Sequence, residues 1–480
     1  MKADLLVAEI GSTTTMVSAF IEIESESPRL LGQGVAPTSV DEGDVRIGLE
    51  GAVEDLRHNL SSGGGVPKAG AGKNKPDPLE WGRFFATSSA AGGLRMTVHG
   101  LAYDMTVRAG REAALGAGAN LHHVTAGLLR GSDIEKIREV NPNIILIAGG
   151  VDYGERDTAL HNAEKIAELL GGQELTIPVI YAGNVENRGE IEKIFQGLPG
   201  RLYTVENVYP RIDDLNVAPA RAVIQEVFEE HITGGPGMEH IRELVDGPVM
   251  PTPGAVLLAA QLLQKELGDL AVLDVGGATT DVHSVTAGSE EVQRILTAPE
   301  PEAKRTVEGD LGTYVSRRHI LGDKNIDTVA TRLGFTKGEL EDALEVLPPI
   351  PRSEEEVALA EELTRSAARK ALLRHAGSYR SLFGPEGKKH VAEGKDLTAV
   401  KYLIATGGAL TRLPGRGKIL REIVENFPAH TLTPPKSVRI AFDAEYIMAA
   451  AGVIGREYPE AAAALVKKSL REEELCPDRR

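Results

Sequence analysis

Three carboxylates in this chain stand beside short turns made of glycine and threonine. Asp274 and Asp281 bracket the turn in residues 270–285, LAVLDVGGATTDVHSV, and Glu9 precedes the turn of EIGSTTT near the start. Gly276 and Gly277 let the backbone bend and approach a ligand closely. Backbone N–H groups in such a turn, joined by the Thr279 and Thr280 hydroxyls, can cradle phosphate. A carboxylate beside phosphate suits magnesium, which keeps most of its waters and takes one or two protein oxygens. Alone, the stretch fits a plain β-hairpin with a Gly-Gly turn at least as well. What gives it weight is a similar turn at each end of the chain. One is EIGSTTT at 9–15; the other is TGGALTRLP at 406–414.

These turns need strands to hold them. Residues 4–10 and 16–23 predict two strands joined by a small-residue turn, a hairpin rather than the strand–helix of a P-loop. Residues 270–275 predict a buried strand, and 401–405 another before the third turn. Residues 45–60 predict a helix with Ile47, Leu49, Val53, Leu56 and Leu60 as its apolar stripe. The Gly-, Pro- and Lys-rich segment 61–78 predicts a mobile loop. Its Ala71-Gly72-Lys73-Asn74 imitates a Walker A end, but Pro67 replaces the first glycine and Asn74 the Ser/Thr that would bind magnesium.

From 83 to 235 the pattern alternates: strands at 84–87, 144–148 and 178–182, helices at 103–115, 158–170 and 187–195. Such alternation implies βαβ units and a parallel sheet. Its Gly-rich strand ends, such as GGVDYG at 149–154, could hold a ligand, and ordinary tight turns explain each as well. MPTPG at 250–254 opens a helix through Leu267, with Pro253 in the first turn. Residues 299–399 read as mostly helical and strongly charged, notably 353–375; such a stretch is ordinarily a solvated face, and here it reads as a helical lid or subdomain. Residues 443–454, DAEYIMAAAGVI, predict an Ala-rich helix able to pack closely. The domain expectation is therefore 1–82, an α/β insertion at 83–235, a return at 236–254, and a second domain at 255–480 with the helical subdomain near 299–399.

A length of 480 residues calls for two or three domains. The formal net charge of −17 argues against a general nucleic-acid or anionic-membrane binder. One cysteine, Cys476, excludes an internal disulfide and any multi-cysteine metal or iron–sulfur site in a single chain. The N-terminus has no signal-peptide pattern, and no apolar stretch approaches the ~20 residues that span a bilayer. The expectation is a cytoplasmic protein that binds neither nucleic acid nor membrane.

Taken in order, EIGSTTT, MPTPGAV, DVGGATTD, ATGGALTRLP and the Ala-rich helix resemble the five motifs of the actin/sugar-kinase/heat-shock-protein ATPase superfamily. The resemblance covers essentially the whole chain. It implies an α/β, actin-like (ribonuclease H-like) two-domain fold, with ATP and magnesium in the cleft between the domains. Glu9, Gly11, Ser12, Thr13 and Thr14 match its first phosphate loop. Asp274, Gly276, Gly277, Thr279, Thr280 and Asp281 match the second, and Gly407 and Gly408 the adenosine loop. Asp274 and Glu9 are the implied catalytic and magnesium-ordering carboxylates. Glu9 stands where Asp is usual, and Met250 where heat-shock ATPases place a catalytic Glu. Slow magnesium-dependent ATP hydrolysis is the expectation.

LVAEIGSTTT, GQGVAPTSVDEGDVRIG, SSAAGGLRM, IILIAGGVDYGERDTALHNAE and PVIYAGN narrow the resemblance to the MutL accessory family encoded beside glutamate mutase. That family is unrelated to the mismatch-repair protein of the same name. It implies a chaperone-like reactivating factor for an adenosylcobalamin-dependent mutase, with a homodimer allowed. Three competing readings remain. A small-molecule kinase would need a base, for which Asp152, Asp281 and Asp310 are candidates. A dehydratase activator would need a bridging iron–sulfur cluster, which the lone Cys476 disfavours. A nucleotide-dependent scaffold would explain Met250. No direct cobalamin ligand is expected, since Asp281-Val282-His283 is followed by Thr286 where the D-x-H-x-x-G signature needs glycine. His122 and His123, adjacent on a strand, are not expected to bind a transition metal.

Overall fold

The apolar runs that flank the first turn form the centre of a five-stranded sheet. The structure is a computed structural model; it describes residues 1–11, 14–39, 42–61, 79–89, 94–173, 176–233, 237–238, 240–247, 249–321, 323–384 and 387–473. Ser12, Thr13, Cys476 and nearly all of the expected 61–78 loop lie outside the described residues, as does the middle of SSAAGGLRM. The chain divides into two compact units, Met1–Leu258 with Ala449–Leu465, and Ala259–Met448 with Val466–Arg480.

In the first unit, β1 (Lys2–Ile10), β2 (Thr14–Ile21) and β3 (Arg29–Pro37) form an antiparallel meander. β4 (Glu80–Ser88) runs parallel to β1 and pairs with it from Lys2–Glu80 to Ile10–Ser88. The helix Val45–Ser61 buries Val45, Leu49, Ala52, Val53 and Leu56. Ile47 is exposed instead of joining the stripe, because two residues turn it about 200° from Leu49.

The α/β segment then supplies a second sheet of its own. It contains β5 (Arg95–Gly100), β6 (Asn120–Ala126), β7 (Ile144–Ala148), β8 (Val179–Tyr181) and β9 (Leu202–Thr204). Their order is β6-β5-β7-β8-β9, every pair parallel. This is the flavodoxin-like doubly wound order, whose ligand crevice lies at the carboxyl ends of the strands. β7, IILIA, is buried throughout, as a central parallel strand covered on both faces must be. The helix expected at 103–115 is a π-helical turn, Tyr103–Val107, leading into an α-helix, Arg108–Ala117.

Buried asparagines tie the loops at the carboxyl edge of this sheet. Asn207 donates to the carbonyl of Gly150 at 2.9 Å and to Asp152 Oδ1 at 3.0 Å, and accepts from the Tyr209 N–H at 3.0 Å. Asn207→Ala would take this partner from the Gly150 carbonyl and the Tyr209 N–H and leave Asp152 with the Val185 N–H, a loss of about 1–3 kcal/mol. Lower protection of 149–156 and 205–217 in hydrogen exchange is expected; wild-type protection would show that the loops stand without it.

The chain returns to the first sheet as β10 (Val249–Pro251), parallel to β4, giving the order β10-β4-β1-β2-β3. The helix Thr252–Leu267 follows at the expected place. The expected 443–454 helix is shorter, Met448–Ile454, because Asp443 ends a strand. It does pack closely: a Cβ on Gly452 would collide with the Ala255 carbonyl.

The second unit repeats the pattern. β11 (Leu270–Val275), β12 (Thr280–Val285) and β13 (Ala303–Glu308) form an antiparallel meander. After a two-stranded hairpin, β14 (Ser378–Gly384) and β15 (Gly387–Glu393), come β16 (Tyr402–Thr406), β17 (Arg439–Asp443) and β18 (Leu470–Glu472). The order is β13-β12-β11-β16-β17-β18, with β16 parallel to β11 and β17 parallel to β16. Both units thus carry the ribonuclease H-like arrangement of the actin-like fold: a three-strand meander with two further strands parallel to its first.

Residues 299–399 are less helical than expected, since they contain β13 and the β14–β15 hairpin. The helix Glu354–His375 begins at the expected serine, where Ser353 and Glu356 form a capping box. Leu359, Leu363, Ala367, Ala371 and Leu372 are buried, and His375 lies between Ser284 Oγ at 2.8 Å and Thr306 Oγ1 at 2.9 Å. Its acids cluster in the first turn, where they stabilise the helix N-terminus.

Candidate functional site

The two hairpin turns close with the same hydrogen bond. In the first unit the Gly11 N–H donates to the Thr14 carbonyl at 2.9 Å; in the second, the Gly276 N–H donates to the Thr279 carbonyl at 2.9 Å. In each, a Cβ on the glycine would press on the accepting carbonyl, at 2.8 Å for Gly11 and 3.1 Å for Gly276. Glycine therefore relieves crowding in both turns, more severely at Gly11.

Around the first turn, Glu9 lies in register with Thr87 of β4, and Thr87 with Met250 of β10. Met250, at the position where a catalytic Glu would stand, is buried. Thr38 Oγ1 donates to the Gly11 carbonyl at 2.8 Å and sits 3.0 Å from Thr15 Oγ1. These bonds fix the turn from beneath.

Around the second turn the structure brings Asp274, Gly276, Gly277 and Gly407 together. Asp274 is in register with Asp281 on one side and Thr406 on the other. Gly407 has φ +87°, and a Cβ there would lie 2.5 Å from Asp274 Oδ1 and 2.5 Å from the Val275 carbonyl. Only glycine combines that backbone with such proximity to the carboxylate. Gly408, by contrast, opens onto free space and starts the short helix Gly408–Arg412.

Other expected residues serve the turn's own architecture. Thr280 is buried and donates to the Leu311 carbonyl at 2.8 Å. Asp281 accepts from Thr279 Oγ1 at 2.9 Å and forms a buried ion pair with Arg305, 2.6 Å at the closest. Residues 312–315 lie over the turn: Thr313 donates to the Gly276 carbonyl, Tyr314 and Val315 to that of Gly277. Arg305 escaped sequence reasoning because it lies 24 residues from Asp281, in a strand with no motif. Asp443 was also missed as a polar hub; it accepts from Thr406, Ser469 and the N–H groups of Ile447 and Met448.

Asp274, Thr279 and the backbone N–H groups of the turn are the groups here that could hold a hard cation or a phosphate. Asp274 offers hard oxygen beside a turn where a Cβ on Gly276 would crowd the Thr279 carbonyl, and Thr279 adds a hydroxyl. Among the described residues no cluster of three or more His, Cys, Asp or Glu could enclose a metal. None of the three carboxylates considered for a kinase base is uncommitted. Asp152 accepts from the Val185 N–H and Asn207, Asp281 pairs with Arg305, and Asp310 accepts two bonds from Arg374. The bonds from Arg374 hold the Asp310 carboxyl below its ordinary pKa, which weakens it as a base.

His283, two residues beyond Asp281 on the same face of the strand, is fully buried, and among the described residues neither ring nitrogen has a hydrogen-bond partner. Burial pushes its pKa down to about 3; burial does the same to His99, on β5 of the first unit. The unfolded chain takes up these two protons near pH 6.5, the folded chain only near 3. Stability is therefore full above 6.5 and falls with pH, by about 1.4 kcal/mol per unit for each histidine. Urea midpoints at pH 7.5 and 5.5 should show the loss, and His283→Leu should reduce it; an equal loss in the variant would remove His283 from the account.

The model of the "MutL protein" family matches residues 5–470. "Protein MutL" of Clostridium tetanomorphum is 35% identical over 482 residues, covering 97% of this chain and 98% of that protein. Among solved structures, diol dehydratase-reactivating factor in nucleotide-free form aligns with 96% of this chain and 98% of its own, at TM-score 0.33 and 12% identity. Glycerol dehydratase reactivase aligns with 94% of this chain and 99% of its own, at 0.35 and 11%. Nucleotide-free acetone carboxylase aligns with 94% of this chain and 70% of its own, at 0.38 and 11%. Among the described residues no helix is long and apolar enough to cross a membrane.

Proposed function

The chain belongs to the MutL protein family, and from that premise we propose that it is an ATP-dependent reactivating factor for an adenosylcobalamin-dependent mutase of the glutamate mutase type. The observation that supports this reading best is the shared turn: one Gly-to-Thr hydrogen bond, at 2.9 Å, closes the hairpin next to Glu9 and the hairpin next to Asp274. In this reading the second turn receives the phosphates through its backbone N–H groups and Thr279, while Asp274 orders magnesium through water. Magnesium, when bound, neutralises phosphate charge. Glu9, Gly11 and Thr14 form the expected counterpart in the first unit, and the open backbone at Gly408 is the place for adenosine.

Conversion of binding into work on a partner requires that ATP and its product favour different conformations, since a ligand shifts an equilibrium only by its differential affinity. Buried Met250 leaves its position without a general base, so slow turnover, accelerated by the partner, is the expected kinetic behaviour.

The test is ATP hydrolysis by the purified chain with and without an inactivated mutase from the same genome. Turnover that rises with the mutase, together with recovered mutase activity, is the expected result. Phosphate transfer to a metabolite would replace the reading with a kinase, and tight ATP binding without turnover would replace it with a scaffold.

A further inference from the structure

The carboxyl edge of the flavodoxin-like sheet exposes apolar side chains that its loops hold rigidly. Tyr103 follows β5, Leu128 follows β6, Tyr153 follows β7 and Ile212 follows β9. They are 55%, 56%, 80% and 72% exposed. Four loops separated widely in sequence thus place a large apolar group at one edge of one sheet. Single exposed apolar residues are common, but the loops of Tyr153 and Ile212, the two most exposed, are tied to each other, the Asp152 N–H donating to the Pro210 carbonyl at 3.0 Å, and apolar groups brought together in this way mark an interaction site.

Rigidity sets this edge apart from an ordinary loop surface. Leu101 and Ala102 donate their N–H groups to Thr106 Oγ1. Buried Asn162 accepts from the Leu129 N–H at 2.8 Å and donates to the Gly127 carbonyl at 3.0 Å. Buried Asn184 accepts from the Tyr153 N–H at 3.1 Å and donates to the carbonyls of Gly154 and Glu155. Tyr209 Oη accepts from the Asp213 N–H at 2.9 Å beside Ile212. Tyr153 and Asp213 are even held at positive φ, +63° and +61°. Side chains presented on such loops lose little entropy when a partner covers them.

The charge of the edge narrows the partner. Residues 101–107, 127–133, 149–157, 182–190 and 205–217 together carry ten carboxylates and four arginines. Two of those arginines are turned onto the chain itself: Arg156 donates to Asn187 and the Glu186 carbonyl, Arg188 to the Val205 carbonyl. The net field is acidic around an apolar centre, which complements a protein surface with a basic rim and an apolar hollow.

We propose that this edge docks the mutase, through a basic surface of that enzyme that receives Tyr153 and Ile212. The inference rests on the reactivating reading for the identity of the partner, while the surface itself is independent of nucleotide chemistry. Binding of the full chain to the purified mutase from the same genome would be measured by biolayer interferometry at 50 and 300 mM NaCl. The double variant Tyr153→Ser/Ile212→Ser keeps every pinning bond described above, and its melting curve should match wild type. Its affinity should fall about 30-fold or more, as for two central anchors, and wild-type affinity should fall at the higher salt. ATP hydrolysis without the mutase should be unchanged.

Equal binding by variant and wild type would overturn the docking edge even if ATP-dependent recovery of the mutase persists. Binding that the variant loses, without any ATP-dependent recovery by wild type, would uphold the edge and remove the reactivating reading. No binding by wild type overturns the edge. Affinity that does not respond to salt overturns the basic character assigned to the partner.

Discussion

Arg305→Met is expected to destabilise the second unit by about 3–5 kcal/mol, the cost of leaving a buried charge without its partner. The Arg305 side chain is 2% exposed and that of Asp281 is 8% exposed. Two guanidinium nitrogens reach Asp281 Oδ1, Nε at 2.8 Å and the terminal nitrogen at 2.6 Å. In the variant, methionine fills the volume, but the carboxylate keeps only the Thr279 hydroxyl. Replacing both partners, Arg305→Met with Asp281→Leu, should recover much of the loss, because an apolar pair of similar volume removes the desolvation cost as well. Hydrogen exchange across β11 to β13 is the suitable readout, since global melting would mix the two units. If the single variant exchanges like wild type, the pair contributes nothing and Asp281 is open to another role. If the double variant is no better than the single one, the damage lies in packing rather than charge.

That pair shows where sequence reading stops. Hairpins around EIGSTTT and DVGGATTD were legible because strand periodicity flanks turns of glycine and threonine. The parallel sheet was legible because apolar strands such as IILIA alternate with amphipathic helices. Which Thr or Asp faces a ligand was not. Thr279, Thr280 and Asp281 follow one another, yet alternation sends Thr280 into the core against the Leu311 carbonyl while its neighbours bond each other. The partner that decides this, Arg305, sits in a strand with no motif. The β14–β15 hairpin falls within the stretch expected to be mostly helical, because charged residues such as Arg380 and Lys389 mask a strand's alternation. Asp443 was read into a helix whose start it instead caps, bonding the Ile447 and Met448 N–H groups from the end of a strand. In each case the deciding contact comes from residues distant in sequence, and local pattern holds no record of it.

Asp274→Asn tests the nucleotide assignment most directly. The amide keeps the side chain's size against Gly407, where a Cβ would lie 2.5 Å from Asp274 Oδ1, so the turn should fold unchanged. What it removes is negative charge. A charge-assisted bond to magnesium-ordered water, at about 1.5–3 kcal/mol, corresponds to about 10- to 100-fold in affinity. Calorimetry should therefore show magnesium-ATP binding weakened by that factor, while ATP binding in chelator, which owes nothing to the metal, changes little. Glu9→Gln should follow the same pattern if the two turns are equivalent. A parallel loss with and without magnesium would show that Asp274 shapes the turn instead of serving the ion. Unchanged affinity in both would take Asp274 out of the site, and with it the main reason for placing phosphate at Gly276 and Gly277. Gly407→Ala discriminates further. Its side chain must displace the Asp274 carboxylate or the Val275 backbone, so nucleotide binding should fail in chelator as well as in magnesium. The pair of variants thereby separates charge from shape at one turn.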